Sequence, residues 1–192
     1  MKINELLKTE KIPQLWVIFA VLIYGLLLAE FTNAYYNKVF FSQPDFSPTS
    51  LFSYTMKISY ILIIVMSFVV WIITSFIYHL FATLFGGSAD FYIFQKYTGL
   101  VYFFSAIFIL AALLIVDNVE ITQDSVYKLL QENKAMRWIS WLIYIPEYLY
   151  YIIIIPIIRY LYNINWLKSM GVVAIPIGSI YLLSQFFANY VL

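Results

Sequence analysis

The chain has no cysteine among its 192 residues, which excludes disulfides, thiolate metal sites and a cysteine nucleophile. It has a single histidine, His79, and no HExxH, so no zinc site of known spacing can be assembled. No GxSxG, P-loop or dinucleotide fingerprint occurs, and there is no Asn-x-Ser/Thr acceptor. Charge is scarce as well. Asp, Glu, Lys and Arg make up 11% of the residues, where a soluble domain carries roughly 25%, too little to cover a water-facing surface. A net charge of +1 offers no basic face for nucleic acid. These absences leave an integral membrane protein, and neither an enzymatic activity nor a cofactor or metal site is expected.

What is present is apolar: 64% of the residues are hydrophobic, with 18 tyrosines and 17 phenylalanines. Tyrosine suits a membrane interface, where its ring stays apolar and its hydroxyl stays wet. A transmembrane β-barrel would need short segments of alternating polarity, whereas the apolar runs here are long and unbroken. The expected fold is an all-α polytopic bundle of five transmembrane helices, forming one membrane domain over residues 1–192.

Residues 1–12 read as a short polar tail lying on the membrane surface, and Pro13 suits a first helical turn. The first span is expected at 14–37. Its length, and the lack of a small-x-small site after it, favour an uncleaved span over a signal peptide. Residues 38–56, with Pro44, Pro48 and several serines, read as a loop. A second span at 57–85 would be about 43 Å long at ~1.5 Å per residue. The hydrocarbon core is about 30 Å thick, so this span must tilt, kink or protrude.

A third span is expected at 91–116, followed by an amphipathic surface segment at about 119–136, where charge is densest. The fourth and fifth spans are expected at 138–162 and 168–191. Pro146 and Pro156 interrupt the fourth, and Pro176 the fifth. Lysine and arginine, weighted to the short loops, favour a cytoplasmic N-terminus in a cytoplasmic membrane. Gly25, Ser67, Ala112, Gly171 and Gly178 are the expected points of close helix packing.

The second and third spans meet at Gly86-Gly87-Ser88-Ala89-Asp90. Two glycines end a helix because both tolerate positive φ and neither offers a Cβ. Ser88 and Asp90 are both suitable N-caps for the next helix, giving a tight Gly-Gly hairpin. With His79-Leu80 seven residues before Gly86-Gly87 and Phe91 opening the next span, this stretch resembles the YIP family of Ypt/Rab-interacting five-span proteins, above all its short prokaryotic members. Leu161–Pro176, a short basic loop leading into a proline-bearing span, is similar to the family as well. The resemblance covers about residues 57–185. It implies a membrane protein without an assigned reaction. Eukaryotic members carry a long cytoplasmic N-terminal region linked to Rab binding; only a dozen residues precede the first span here, so no GTPase-binding role is expected.

Ionisable groups inside a span are costly and are functional candidates by default. Glu147 lies near the middle of the fourth span, directly after Pro146, and Glu30 lies past the middle of the first. Each reads either as a proton- or cation-binding carboxylate or as a hydrogen-bonded staple between helices. His79 is expected to pair with Asp90 or a backbone group near the hairpin, and Arg159 and Lys168 to contact lipid headgroups. The leading functional expectation is a non-enzymatic scaffold or interaction subunit, surrounded by membrane lipids and associated as a homo-oligomer or with another membrane protein. The alternative is a small transporter or transporter subunit using Glu147, with Glu30, for proton or cation coupling, since proline-interrupted spans often mark binding sites. A lipid-handling protein, with a cleft open to the bilayer, is the third reading. Transport requires a cavity at Glu147 shared with other polar groups; scaffolding requires a dry, packed carboxyl.

Overall fold

Six helices make up the computed structural model, which describes residues 12–41, 50–118 and 134–190. They are α1 (Gln14–Phe41), α2 (Ser50–Leu84), α3 (Phe91–Leu100), α4 (Tyr102–Asn118), α5 (Lys134–Tyr162) and α6 (Trp166–Tyr190). The described residues are all-helical or in turns, and five stretches are long and apolar enough to cross a membrane: Gln14–Lys38, Phe52–Leu84, Phe91–Asn118, Lys134–Tyr162 and Trp166–Ala188. At most 39% of any one span's apolar window is buried inside the protein. The remaining apolar surface suits hydrocarbon and not water, which makes this a multi-pass membrane protein.

The observed helices overrun several expected bounds. Helix α1 continues to Phe41 and α2 begins at Ser50, so part of the expected 38–56 loop is helical. Helix α2 is about 52 Å long at ~1.5 Å per residue, so the excess over a bilayer is larger than its sequence suggests. The expected surface segment at 119–136 lies outside the described residues except at its end, where Lys134–Met136 already belong to α5.

The third span is not one unbroken helix. It divides at Val101, where the amide of Phe104 donates to the Val101 carbonyl at 3.0 Å, a tighter i→i+3 turn. Just before this break, Gly99 allows three helices to meet. A Cβ there would lie 2.3 Å from Val17 Cγ1 and 3.0 Å from the Trp71 ring. Beside it, the indole Nε1 of Trp71 donates to Thr98 Oγ1 at 3.1 Å and to the Gln95 carbonyl at 3.2 Å. The Ser75 and Thr98 hydroxyls lie 2.6 Å apart. In hydrocarbon such side-chain bonds join helices without leaving polar groups orphaned.

Helix α2 ends at Leu84, Gly86 takes φ +84°, and Asp90 caps α3 by accepting from the Ile93 amide at 3.1 Å. Asp90, and not Ser88, is therefore the N-cap. Gly87 is needed for proximity: a Cβ would sit 2.7 Å from Tyr162 Cβ and 2.9 Å from the Ala82 carbonyl oxygen. The α5–α6 turn is equally short. Asn163 adopts φ +56°, and Asn165 accepts from the Lys168 amide at 2.9 Å to cap α6.

Among the expected packing points, Gly25 meets Ser67, Ala112 is buried and Gly171 meets the Phe85 ring. Gly178 has nothing within 4 Å of its would-be Cβ, and residues 179–188 are all exposed. Its N-terminal part is held against α5 and α2. Two apolar cores result. One joins Val17, Trp71, Phe94, Ile154, Ile158 and Tyr162; the other joins Phe31, Ile109, Val116, Met136 and Ile139.

Overpacking a tight site costs about 1–3 kcal/mol. Gly99→Ala is accordingly expected to lower the thermal midpoint followed by circular dichroism in detergent, and Gly178→Ala to leave it unchanged or raise it slightly. The double change Gly86→Val with Gly87→Val combines positive-φ strain with a backbone clash and should prevent a folded protein from being recovered.

Candidate functional site

A cavity of about 400 Å³ lies at the junction of the two cores, lined by residues of both, including Tyr102, Tyr150, Leu28, Ile109 and Ile143. The spacing of the chain places its lining. On α5, Ile139, Ile143, Glu147, Tyr150, Ile154 and Ile158 recur at intervals of three or four residues and so share one face. On α2, Ser67, Trp71, Thr74, Tyr78 and Ala82 form a similar stripe, and Thr74 and Tyr78 reach the cavity. Helix α1 adds Tyr24, α4 adds Tyr102 and Ser105, and α6 adds Pro176, Ile177 and Ile180.

The polar part of this lining is mostly tyrosine. Tyr24 and Tyr102 meet edge-to-face with ring centroids 5.0 Å apart, Tyr102 and Tyr150 at 5.9 Å, and Tyr150 and Tyr151 at 5.9 Å. Each such pair contributes roughly 0.5–1.5 kcal/mol beyond its buried area. The Tyr151 hydroxyl donates to Glu147 Oε1 at 2.9 Å across one turn of α5. The Glu147 carboxylate also lies close enough to Tyr24 and Tyr78 to interact with them electrostatically. Tyr150 is only 9% exposed, and its hydroxyl has no hydrogen-bond partner among the described residues. An orphaned hydroxyl at this depth costs about 1–3 kcal/mol unless something in the cavity engages it.

Glu147 sits near the middle of the Lys134–Tyr162 span, with about 20 Å of helix on either side at ~1.5 Å per residue. It is exposed and not packed. With Val70 on α2 and Ile180 on α6, also exposed, it marks the cavity's mouth. Pro146 and Pro176 both line the cavity, each inside a helix that continues through it. Proline in a span frees the carbonyl four residues earlier and lets the helix open locally.

The other sequence candidates lie elsewhere. Glu30 does not join Glu147: it accepts from Tyr60 at 2.9 Å, beside a separate pocket of about 250 Å³ that includes Thr32, Asn33 and Ser59. His79 does not pair with Asp90 through a hydrogen bond. Its Nδ1 lies 2.6 Å from the Tyr162 hydroxyl, which ties the end of α5 to α2 beside Gly86 and Gly87. Lys168 donates to the Phe85 carbonyl at 2.8 Å, satisfying a backbone group at the end of α2. Arg159 lies over the Trp166 ring at 4.3 Å and the Tyr160 ring at 5.1 Å. Among the described residues no three His, Cys, Asp or Glu side chains converge as a metal-ligand set.

Sequence reasoning singled out Glu147 but missed Tyr24, Tyr78, Tyr102, Tyr150 and Tyr151. With 18 tyrosines in the chain, composition points to the interfaces and gives no sign of which rings turn inward. The available signal was the α5 stripe, which puts Tyr150 one turn from Glu147 on the same face. Comparison with protein-family models, curated proteins and solved structures finds no match to this chain.

If the Tyr150 hydroxyl is idle in the empty protein, Tyr150→Phe should leave stability unchanged or raise it by up to about 1 kcal/mol. Thr98→Val, which removes a satisfied partner of Trp71 and Ser75, should lower it by about 1–3 kcal/mol. Paired thermal-unfolding scans in one detergent check both; a marked loss in Tyr150→Phe would show that the hydroxyl is already bonded.

Proposed function

We propose that this chain is a small transporter, or the membrane subunit of one, whose coupling group is Glu147. The observation that carries this reading is a mid-span carboxylate facing a cavity that it shares with tyrosine, serine and threonine hydroxyls. A scaffold needs no such cavity, and a carboxyl serving only to staple helices would be packed between them. A carboxyl holds either a proton or a cation, so a group reachable from a cavity can exchange one for the other. The prolines inside α5 and α6 beside it each leave a backbone carbonyl without its helical donor, a local softening that alternating access can use.

The scaffold reading has no comparable observation behind it: the YIP resemblance rests on the short Gly86-Gly87 and Leu161–Pro176 motifs and implies no assigned reaction, and residues 85–90 and 163–165 within them make short turns between spans. A cytoplasmic-membrane location with the N-terminus inside is kept as part of the proposal, on the distribution of lysine and arginine. Glu30 is assigned no part in coupling, since it does not line the Glu147 cavity and is hydrogen-bonded to Tyr60 instead.

Reconstituted liposomes test this directly. Proton- or cation-driven flux should be measurable for the native protein and fall at least tenfold in Glu147→Gln, while Glu30→Gln stays within about twofold of native. Equal flux in native protein and Glu147→Gln, or no flux from either, defeats the transport reading.

A further inference from the structure

We infer that the Glu147 cavity takes an amphiphilic organic cation, an alkylated ammonium on an apolar tail, which enters sideways from the bilayer. The inference rests on Glu147 acting as a coupling group and narrows what it couples to. Three observations select this class. The cavity, at about 400 Å³, is far larger than a proton or a bare metal ion requires and falls within the range of small-molecule pockets. Its polar lining is one carboxylate among five tyrosines, with Ser105 and Thr74. A hard inorganic cation seeks about six oxygen ligands, whereas an alkylated ammonium is weakly hydrated and is held by aromatic rings plus one counter-charge. Finally, the mouth at Val70, Glu147 and Ile180 opens between α2, α5 and α6 at mid-span depth. A hydrated ion does not arrive there through hydrocarbon; a cation carried on an apolar chain does.

The Tyr150 hydroxyl fits the same assignment. Its oxygen is buried, has no hydrogen-bond partner among the described residues, and offers lone pairs to a positive group. Tyr151, bonded to Glu147, fixes the carboxylate at the mouth, so charge and rings are presented together.

The test uses the full chain in nanodiscs of digalactosyl diacylglycerol, a neutral lipid without an ammonium group. The probe is octyltrimethylammonium, titrated calorimetrically, with its uncharged carbon isostere as control and empty discs subtracted. Saturable binding of the cation and none of the isostere is expected, weakened at least tenfold by Glu147→Gln and several-fold by Tyr102→Leu. Tyr151→Phe, which keeps the ring and frees the carboxylate, should weaken binding less than Glu147→Gln and guards against misfolding as the cause.

Repeating the titration in phosphatidylcholine discs separates the sources. Competition that Glu147→Gln abolishes names the lipid's own trimethylammonium group, and unchanged affinity names the free amphiphile; both keep the site. Absence of saturable binding to the native protein, or binding indifferent to Glu147→Gln, overturns the inference. Glu147-dependent proton or sodium flux without ammonium binding would overturn this inference and spare the transport reading. Ammonium binding without flux would do the reverse.

Discussion

A carboxyl group at the middle of an apolar span is the constraint around which this protein is arranged. Hydrocarbon offers it no water, so it must find hydrogen bonds or a counter-charge in the protein or in a ligand. Here it finds one phenolic hydroxyl, that of Tyr151, and otherwise faces a cavity. Burying Glu147 between helices would have closed the bundle more tightly. Instead the cavity lies between the two apolar cores, and Pro146 of α5 and Pro176 of α6 both line it.

The remainder of the fold provides rigid ground for that open region. The close approach at Gly99, with the hydrogen-bonded group of Trp71, Ser75, Gln95 and Thr98, fixes α1, α2 and α3 together without a hydrophobic driving force between them. At the same end of the bundle the α2–α3 and α5–α6 turns lock to one another. His79 meets Tyr162, the Ser88 amide donates to the Tyr162 carbonyl at 3.4 Å, and Lys168 reaches Phe85. One end of the bundle is therefore stitched by polar contacts, while residues 179–188 of α6 are exposed. A bundle fixed at one end and loose beside its cavity has a built-in direction in which to open.

Much of this was legible in the sequence and some was not. Five apolar runs separated by glycine, proline and charge give five spans, because hydrophobic length is a one-dimensional property. The cap of α3 could be narrowed to Ser88 or Asp90 from position, and the structure selects Asp90. The break at Val101 could not be read this way, since its neighbours Leu100, Tyr102 and Phe103 are as apolar as the rest of the run. Glu147 stood out because charge is rare in a span. The tyrosines around it did not, because Tyr24, Tyr78 and Tyr102 come from three separate helices and are brought together only by packing. His79 was expected near Asp90, which is close in sequence, yet its hydrogen bond goes to Tyr162, more than 80 positions away.

The central claim is that Glu147 exchanges a proton for a cation within the cavity, and the state of its carboxyl group reports this most directly. Infrared difference spectra of the native protein, recorded on adding an alkylammonium at constant pH, should show a change in the protonated-carboxyl region and a change in the carboxylate region. Glu147→Gln should show neither change. A native spectrum unaltered by the cation, or the same change in Glu147→Gln, would contradict the account.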